Sequence, residues 1–529
     1  MPVSKSSPSQ PRGAFGERTN LQTPGPLDAS SSIKSWLAGP KRAQCKRPSN
    51  ENDGGDRKRV KISSEERNSP CGSDSDAYES DSDVEMMQHA PCHRLKTASL
   101  NSASQRPPVA ISRRPFVSTW PILQSFVSSN KSDVFRCQSV LDGSFLAPPY
   151  ACAYSHSARS GGTPLLAVAT EQGTVYVVDT SKRKNWDPEP VVTTFQPHNN
   201  GIFDVKWNMS DTLLATVSGD RLARISDLET GCTVQTLRGH QGTVKCVSWD
   251  PTQPELLSTG GRDGLVCIWD LRVGENRAEQ GPSDLHPVLT ISAAHEDTGP
   301  NGKRKTPKGK RAPMPKSVTG LIYSDANPYH LISSGSSDGI LRCWDLRLSK
   351  SKSTKVKEPP CLFSSPLDPT TFQPSSRPRG IISLVDGTGP TAGLCFALCA
   401  DSRIHTYGRD SLAAFGNSYT HENLQTNFYV KLAASPCGRW LATGGSGVSG
   451  SSFMFDVSNA TRASPYAAQT GVELKGHAGD AGGVDWASGM LSTCWDDGMV
   501  RLWRPDTETH MACVENPEEQ RWDWCWAGA

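Results

Sequence analysis

At 529 residues the chain has room for two or three average domains, or for one large all-β unit with extensions. Its 56 Lys and Arg against 54 Asp and Glu leave a formal charge of +2, so no global field draws it to nucleic acid or to a membrane. The 16 cysteines form no C-x-x-C pair and several fall on predicted strands (Cys246, Cys267, Cys343, Cys494), which reads as small buried hydrophobes in a reducing compartment and argues against a metal site. The opening MPVSKSSPSQPRGAFG lacks the apolar core of a signal peptide, and no later apolar run approaches the about 18 residues of a membrane span. A soluble intracellular protein is expected.

Residues 1–112 are rich in Ser, Pro, Asn and charge and poor in aromatics, too polar to offset the entropy of ordering the backbone; a disordered tail is expected. Within it Arg57, Lys58, Arg59 and Lys61 form a basic cluster of the kind read by nuclear import receptors. The tract Ser73 to Glu85, SDSDAYESDSDVE, sets serines among carboxylates, a composition suited to acid-directed kinases and equally to plain solvation. Residues 113–132, around RPFVSTWPILQSFVSS, are an apolar segment for docking a partner or, the preferred reading, for packing on the adjoining β domain.

From residue 133 to 505 one pattern recurs. Its fullest statement is LRGHQGTVKCVSWDPTQPELLSTGGRDGLVCIWDLR, Leu237 to Arg272, where three short alternating strands are separated by turn residues. They are predicted over Thr243–Trp249, Glu255–Thr259 and Leu265–Asp270. The Gly-His opening and Trp-Asp close resemble a WD repeat, one blade of a β-propeller. That resemblance implies a buried hydrogen-bonded tetrad of His240, Ser258, Asp263 and Trp269. These residues are read as scaffold rather than as a hydrolase triad, and no Walker or zincin motif offers another chemistry or a cofactor.

The same spacing finds further units ending at Asp179, Asp227, Asp345, Gly408, Asp456 and Trp503, with Asp220, Asp338, Asp401 and Asp497 in the turn position and His477 opening the last. The expected fold is therefore an all-β, seven-bladed propeller, its seam closed by Phe135–Leu141. The Trp-rich extension 506–529, with Trp522, Trp524 and Trp526, is expected to pack on a blade.

The rims carry the functional signal. Two consecutive blades close in W-D-L-R, so that third strands ending near Asp270 and Asp345 are followed at once by Arg272 and Arg347, together on one face, the bottom. Before the next first strand comes the insertion HEDTGPNGKRKTPKGKRAPMPKS, whose Lys303, Arg304, Lys305, Lys308, Lys310 and Arg311 form a cationic arm on the top face; it lacks aromatics for base stacking, which argues against direct DNA binding, and a second import signal is an option. The run TGGRDGLVCIWDLR, the histidine-led basic insertion and SSGSSDGILRCWDLR together resemble the Denticleless-type substrate receptors of the cullin-4 RING ubiquitin ligase, a fungal member being expected; no clear clamp-binding box of the animal form is present. The resemblance implies a non-catalytic, nuclear ligase subunit that binds the cullin-4 propeller adaptor through Asp270, Arg272, Asp345 and Arg347. It implies substrates bound to proliferating cell nuclear antigen: regulators of replication, the cell cycle and the DNA damage response, marked for proteasomal degradation. A nuclear WD-repeat scaffold in chromatin or ribosome assembly is the rival.

Overall fold

A computed structural model describes residues 118–184, 186–274, 282–296, 315–324, 327–347, 358–372, 377–447, 450–461, 468–476, 479–519 and 524–528. The expected tail 1–112 and its basic cluster, the six cations of the insertion, His477 and Trp522 lie outside the described residues.

The described chain is almost wholly β. In the template repeat Val244–Trp249, Leu256–Gly261 and Val266–Asp270 form an antiparallel ladder with Leu257 opposite Trp269 and Thr259 opposite Cys267, and Leu289–Ile291 adds an outer strand. Middle strands such as Leu165–Thr170, Leu394–Cys399 and Met490–Trp495 are buried at every position, because each sheet is covered on both faces by its neighbours. The core accordingly lies between sheets: Leu257, Cys267 and Trp269 of the template pack with Ala215, Val217 and Ile225 of the sheet before it.

The innermost strands succeed one another around a closed path: Pro149–Tyr154, Ile202–Trp207, Val244–Trp249, Val318–Tyr323, Ile381–Asp386, Leu432–Ala434 and Ala481–Ala487, the last returning to the first. Polar side chains stitch them. Asp204 accepts the Val247 amide (3.1 Å), Ser383 that of Leu432 (3.0 Å) and Asp485 that of Tyr154 (2.7 Å). Such bonds to buried backbone donors fix how neighbouring sheets seat, since an unpaired one costs about 1–3 kcal/mol.

Seven discrete blades are expected from the repeats; five discrete sheets of four or five strands are found, with a single ten-stranded sheet in place of the remainder. The merger has a clear cause. Cys525–Gly528 pairs on one side with Val472–Lys475 and on the other with Phe126–Ser128, which itself pairs with Met499–Pro505. The closing strand is also shorter and earlier than Phe135–Leu141: Val134–Arg136 pairs with Met499–Arg501, and Phe126–Ser128 adds a second tie that periodicity did not reveal. Phe126 and Leu123 are fully buried, Arg504 is ion-paired with Asp133, and the Trp440 indole donates to Thr119 (2.9 Å). Two outer edges are covered by parallel strands lent from the following repeat, Ser283–Leu285 on Thr233–Arg238 and Ala468–Thr470 on Ala414–Thr420.

Candidate functional site

In the template repeat His240 Nδ1 stands 3.1 Å from both oxygens of Asp263, its Nε2 2.8 Å from Thr259 Oγ1, and the Trp269 indole donates to that same hydroxyl at 2.9 Å. The hydroxyl is therefore Thr259. Ser258, assigned from spacing, is one residue earlier and so projects to the other face of the strand. Burial opposes charge on His240, but the Asp263 carboxylate outweighs it and holds the imidazole up at about 9, while His240 in turn holds Asp263 below the usual carboxylate range. Asp263 also accepts from the Gln241, Gly242 and Leu265 amides (2.7, 3.2 and 3.1 Å). Asp263→Ala strips all four donors of their acceptor and should cost roughly 1–3 kcal/mol; an unaltered thermal midpoint would contradict this role.

The same layout recurs as His198, Asp220 and Thr216 at 2.8 and 3.0 Å. It is incomplete in the repeat after the template. His295 Nε2 lies 2.9 Å from Ser333 Oγ, to which the Trp344 indole donates (2.8 Å), but His295 Nδ1 has no partner among the described residues and Asp338 instead accepts from the Ile340 amide and Ser337. Burial, then Arg342 and Lys316, push His295 down to about 3. The unfolded chain takes up a proton near the ordinary histidine value that the folded chain refuses, so this stability is complete above about 6.5 and drains away as pH falls toward 3. At pH 4 the wild type should lose on the order of 3 kcal/mol more, relative to pH 7, than His295→Gln. Denaturant titrations of the two proteins at both pH values measure it; parallel losses would refute the assignment.

Every described cysteine is a free thiol. Among the described residues one trio, Cys399, Asp401 and His405, has donor atoms within 4.8 Å of one another; Asp401 and His405 are already paired at 2.8 Å, the use this fold makes of a His and an Asp elsewhere.

The bottom face carries two matching constructions. Arg272 Nε and Nη2 donate to Asp270 at 2.8 and 2.7 Å, and Arg347 Nε and Nη2 donate to Asp345 at 2.9 and 2.5 Å. In both, the carboxylate also accepts the arginine's own amide at 3.0 Å. The guanidinium side chains stay 60% and 61% exposed. Of five donors each spends two on its aspartate, which leaves the outer edge of the fork available to a carboxylate or carbonyl of another molecule. Exposed Val273 and Tyr329 lie beside them in the chain and in space.

The opposite end of the ring holds a cluster that sequence reading missed. In five successive sheets the pairing of the first two strands shifts register between the first and third residue of the inner strand: Pro149/Ala151, Ile202/Asp204, Val244/Cys246, Val318/Gly320 and Ile381/Ser383. Such a bulge re-aims the skipped side chain. The skipped residues, Tyr150, Phe203, Lys245, Thr319 and Ile382, all line one cavity of about 370 Å³. Lys245 Nζ sits 3.7 Å from the ring centre of Phe203, 4.8 Å from Phe428 and 5.5 Å from Tyr429. Tyr150, Phe203 and Tyr429 stack on one another at 5.0–5.9 Å. Burial, then Lys431 and Arg262, lower Lys245 to about 7. The one available signal was an odd residue, aromatic or charged, at the second place of an inner strand.

Comparison with known proteins agrees with the fold. The family model described as "WD domain, G-beta repeat" matches residues 189–227, 231–270 and 308–345. Denticleless protein homolog B of Xenopus laevis is 31% identical over 365 residues, 68% of this chain and 48% of that protein. The human Denticleless protein homolog is 29% identical over 418 residues, 76% of this chain and 53% of its own, and Protein lethal(2)denticleless of Drosophila melanogaster is 30% identical over 361 residues, 65% and 43%. The chain thus spans about half the length of the curated relatives it matches. A chain of the solved mitotic checkpoint complex superposes on 78% of this chain with a TM-score of 0.47 at 18% identity, too loosely to carry an argument.

Proposed function

This chain is a Denticleless-type WD-repeat protein, and from that premise we propose that it is a non-catalytic substrate receptor of a cullin-4 ubiquitin ligase. The ten-stranded sheet then counts as two blades whose outer strands are shared, which makes the ring seven-bladed by its seven inner strands. The observation that carries the reading is the pair Arg272 and Arg347, presented alike on one face of adjacent sheets by Asp270 and Asp345. Two identical exposed forks at neighbouring positions make a repeated contact, which strand capping alone does not require.

In this reading the bottom face binds the ligase's propeller adaptor, and the top face holds substrates associated with proliferating cell nuclear antigen in the nucleus. Their ubiquitylation removes regulators of replication and the cell cycle. Affinity purification of the tagged full-length chain tests it. The adaptor and cullin-4 should co-purify in stoichiometric amount; recovery of chromatin or ribosome-assembly factors without the adaptor would favour the scaffold reading instead.

A further inference from the structure

The cavity at the mouth of the ring is one-sided in charge. Lys245, Arg262 and Lys431 line it, hydroxyls of Ser317, Thr319 and Thr426 add donors, and among the described residues no carboxylate lines it. Lys431 reaches Asp204 only at 3.9 Å, while Lys245 and Arg262 have no ion pair among the described residues. The aromatic faces that would hold an incoming cation are already occupied by Lys245 itself. A second cation would meet three like charges; an anion would meet three opposite ones beside apolar rings that exclude water and strengthen the pairing.

We propose that this mouth binds an anionic side chain, a carboxylate or a phosphate, carried by an acidic peptide. The rings of Phe203, Phe428 and Tyr429 hold the Lys245 ammonium in place at the cavity wall, Arg262 supplies a fork at the rim, and the exposed part of Phe428 offers the peptide an apolar rest. The site needs only the closed ring. It stands or falls separately from the adaptor contact on the opposite face.

The probe is a fluorescein-labelled peptide of sequence SDSDAYESDSDVE, the chain's own residues 73–85, with a serine-phosphorylated copy and a copy carrying Lys at every acidic position. Anisotropy with the full-length chain should show binding of the first two and none of the third. A phosphorylated copy that binds tighter identifies phosphate as the better ligand; equal binding identifies the carboxylate. Lys245→Met and, separately, Arg262→Gln should each weaken binding at least about tenfold, with thermal midpoints and adaptor recovery as in the wild type. Arg262 is exposed, so its variant keeps the test valid should Lys245→Met fold poorly.

Titration supplies a second readout. The charged and titratable groups around Lys245 are Lys431, Arg262, Asp204, Tyr429, Tyr150 with Glu171 beside it, and the buried Cys246. Between pH 6 and 8.5 the wild type should lose affinity for the unphosphorylated peptide as Lys245 sheds its proton, and Lys245→Met should lose that dependence. Equal affinity of both variants and the wild type, or tighter binding of the lysine peptide, overturns the proposal.

Discussion

If the chain is the proposed ligase receptor, the double variant Arg272→Ala, Arg347→Ala should lose affinity for the cullin-4 adaptor by at least about thirtyfold while the fold and the opposite mouth stay unchanged. Each guanidinium is fixed in advance by two hydrogen bonds to its own aspartate, so little side-chain freedom is lost on docking. Removing it leaves Asp270 and Asp345 still accepting the amides two residues on, and exposed ion pairs of this kind add little to stability. Asp270→Asn with Asp345→Asn should give an intermediate loss, because the forks survive but swing freely. Substrates would be held and not modified, so the arginine variant should act as a dominant negative on overexpression. Quantitative pull-down with purified adaptor decides the matter: undiminished binding by the double variant, or none by the wild type, removes the receptor reading.

The largest effect on stability should come from Phe126→Ala. Phe126 is fully buried and meets Trp440 and Trp486 edge-on, with ring centres 6.0 and 5.8 Å away, in a cluster that includes Leu474, Trp503 and Ala527. Truncation of such a ring leaves a cavity and costs roughly 3–5 kcal/mol. Its strand is also the bridge between Met499–Pro505 and Cys525–Gly528, so both ties at the seam loosen together. The variant should show a lower denaturant midpoint, and proteolysis beginning on both sides of residue 126. A midpoint equal to that of the wild type would mean that the seam holds without this strand.

The repeat architecture was legible because each repeat spells its turns and its buried tryptophan in a fixed register. Parity was not. Counting back from Asp263 meets two adjacent hydroxyl residues, Ser258 and Thr259, on opposite faces of one strand, and only the pairing of Leu257 with Trp269 and of Thr259 with Cys267 decides between them. Spacing also overstated Asp338, which keeps the six-residue interval to Trp344 yet does not meet His295. The fused sheet escaped notice because Phe126–Ser128 and Cys525–Gly528 are too short for a period to show. The mouth escaped because the bulge marks the sequence at only three of five places, Tyr150, Phe203 and Lys245 and not Thr319 or Ile382, and its cavity gathers residues of unlike chemistry from separate sheets.

The seam also sets a clock on synthesis. Asp133 and Arg504, partners across it, are separated by 371 positions in the chain. At ribosomal speeds of about 5–20 residues per second, the first-made strands wait on the order of 20 to 70 s for the last to emerge. During that interval Phe126, Leu123 and the face of Pro149–Tyr154 that will meet Ala481–Ala487 are apolar surfaces without a counterpart, so the newborn chain is a natural client for holding chaperones. Moving the chain ends by circular permutation to an exposed loop such as Thr230–Cys232 would bring the seam's strands nearer to one another in sequence, and such a permutant should depend less on chaperones while keeping the same ring.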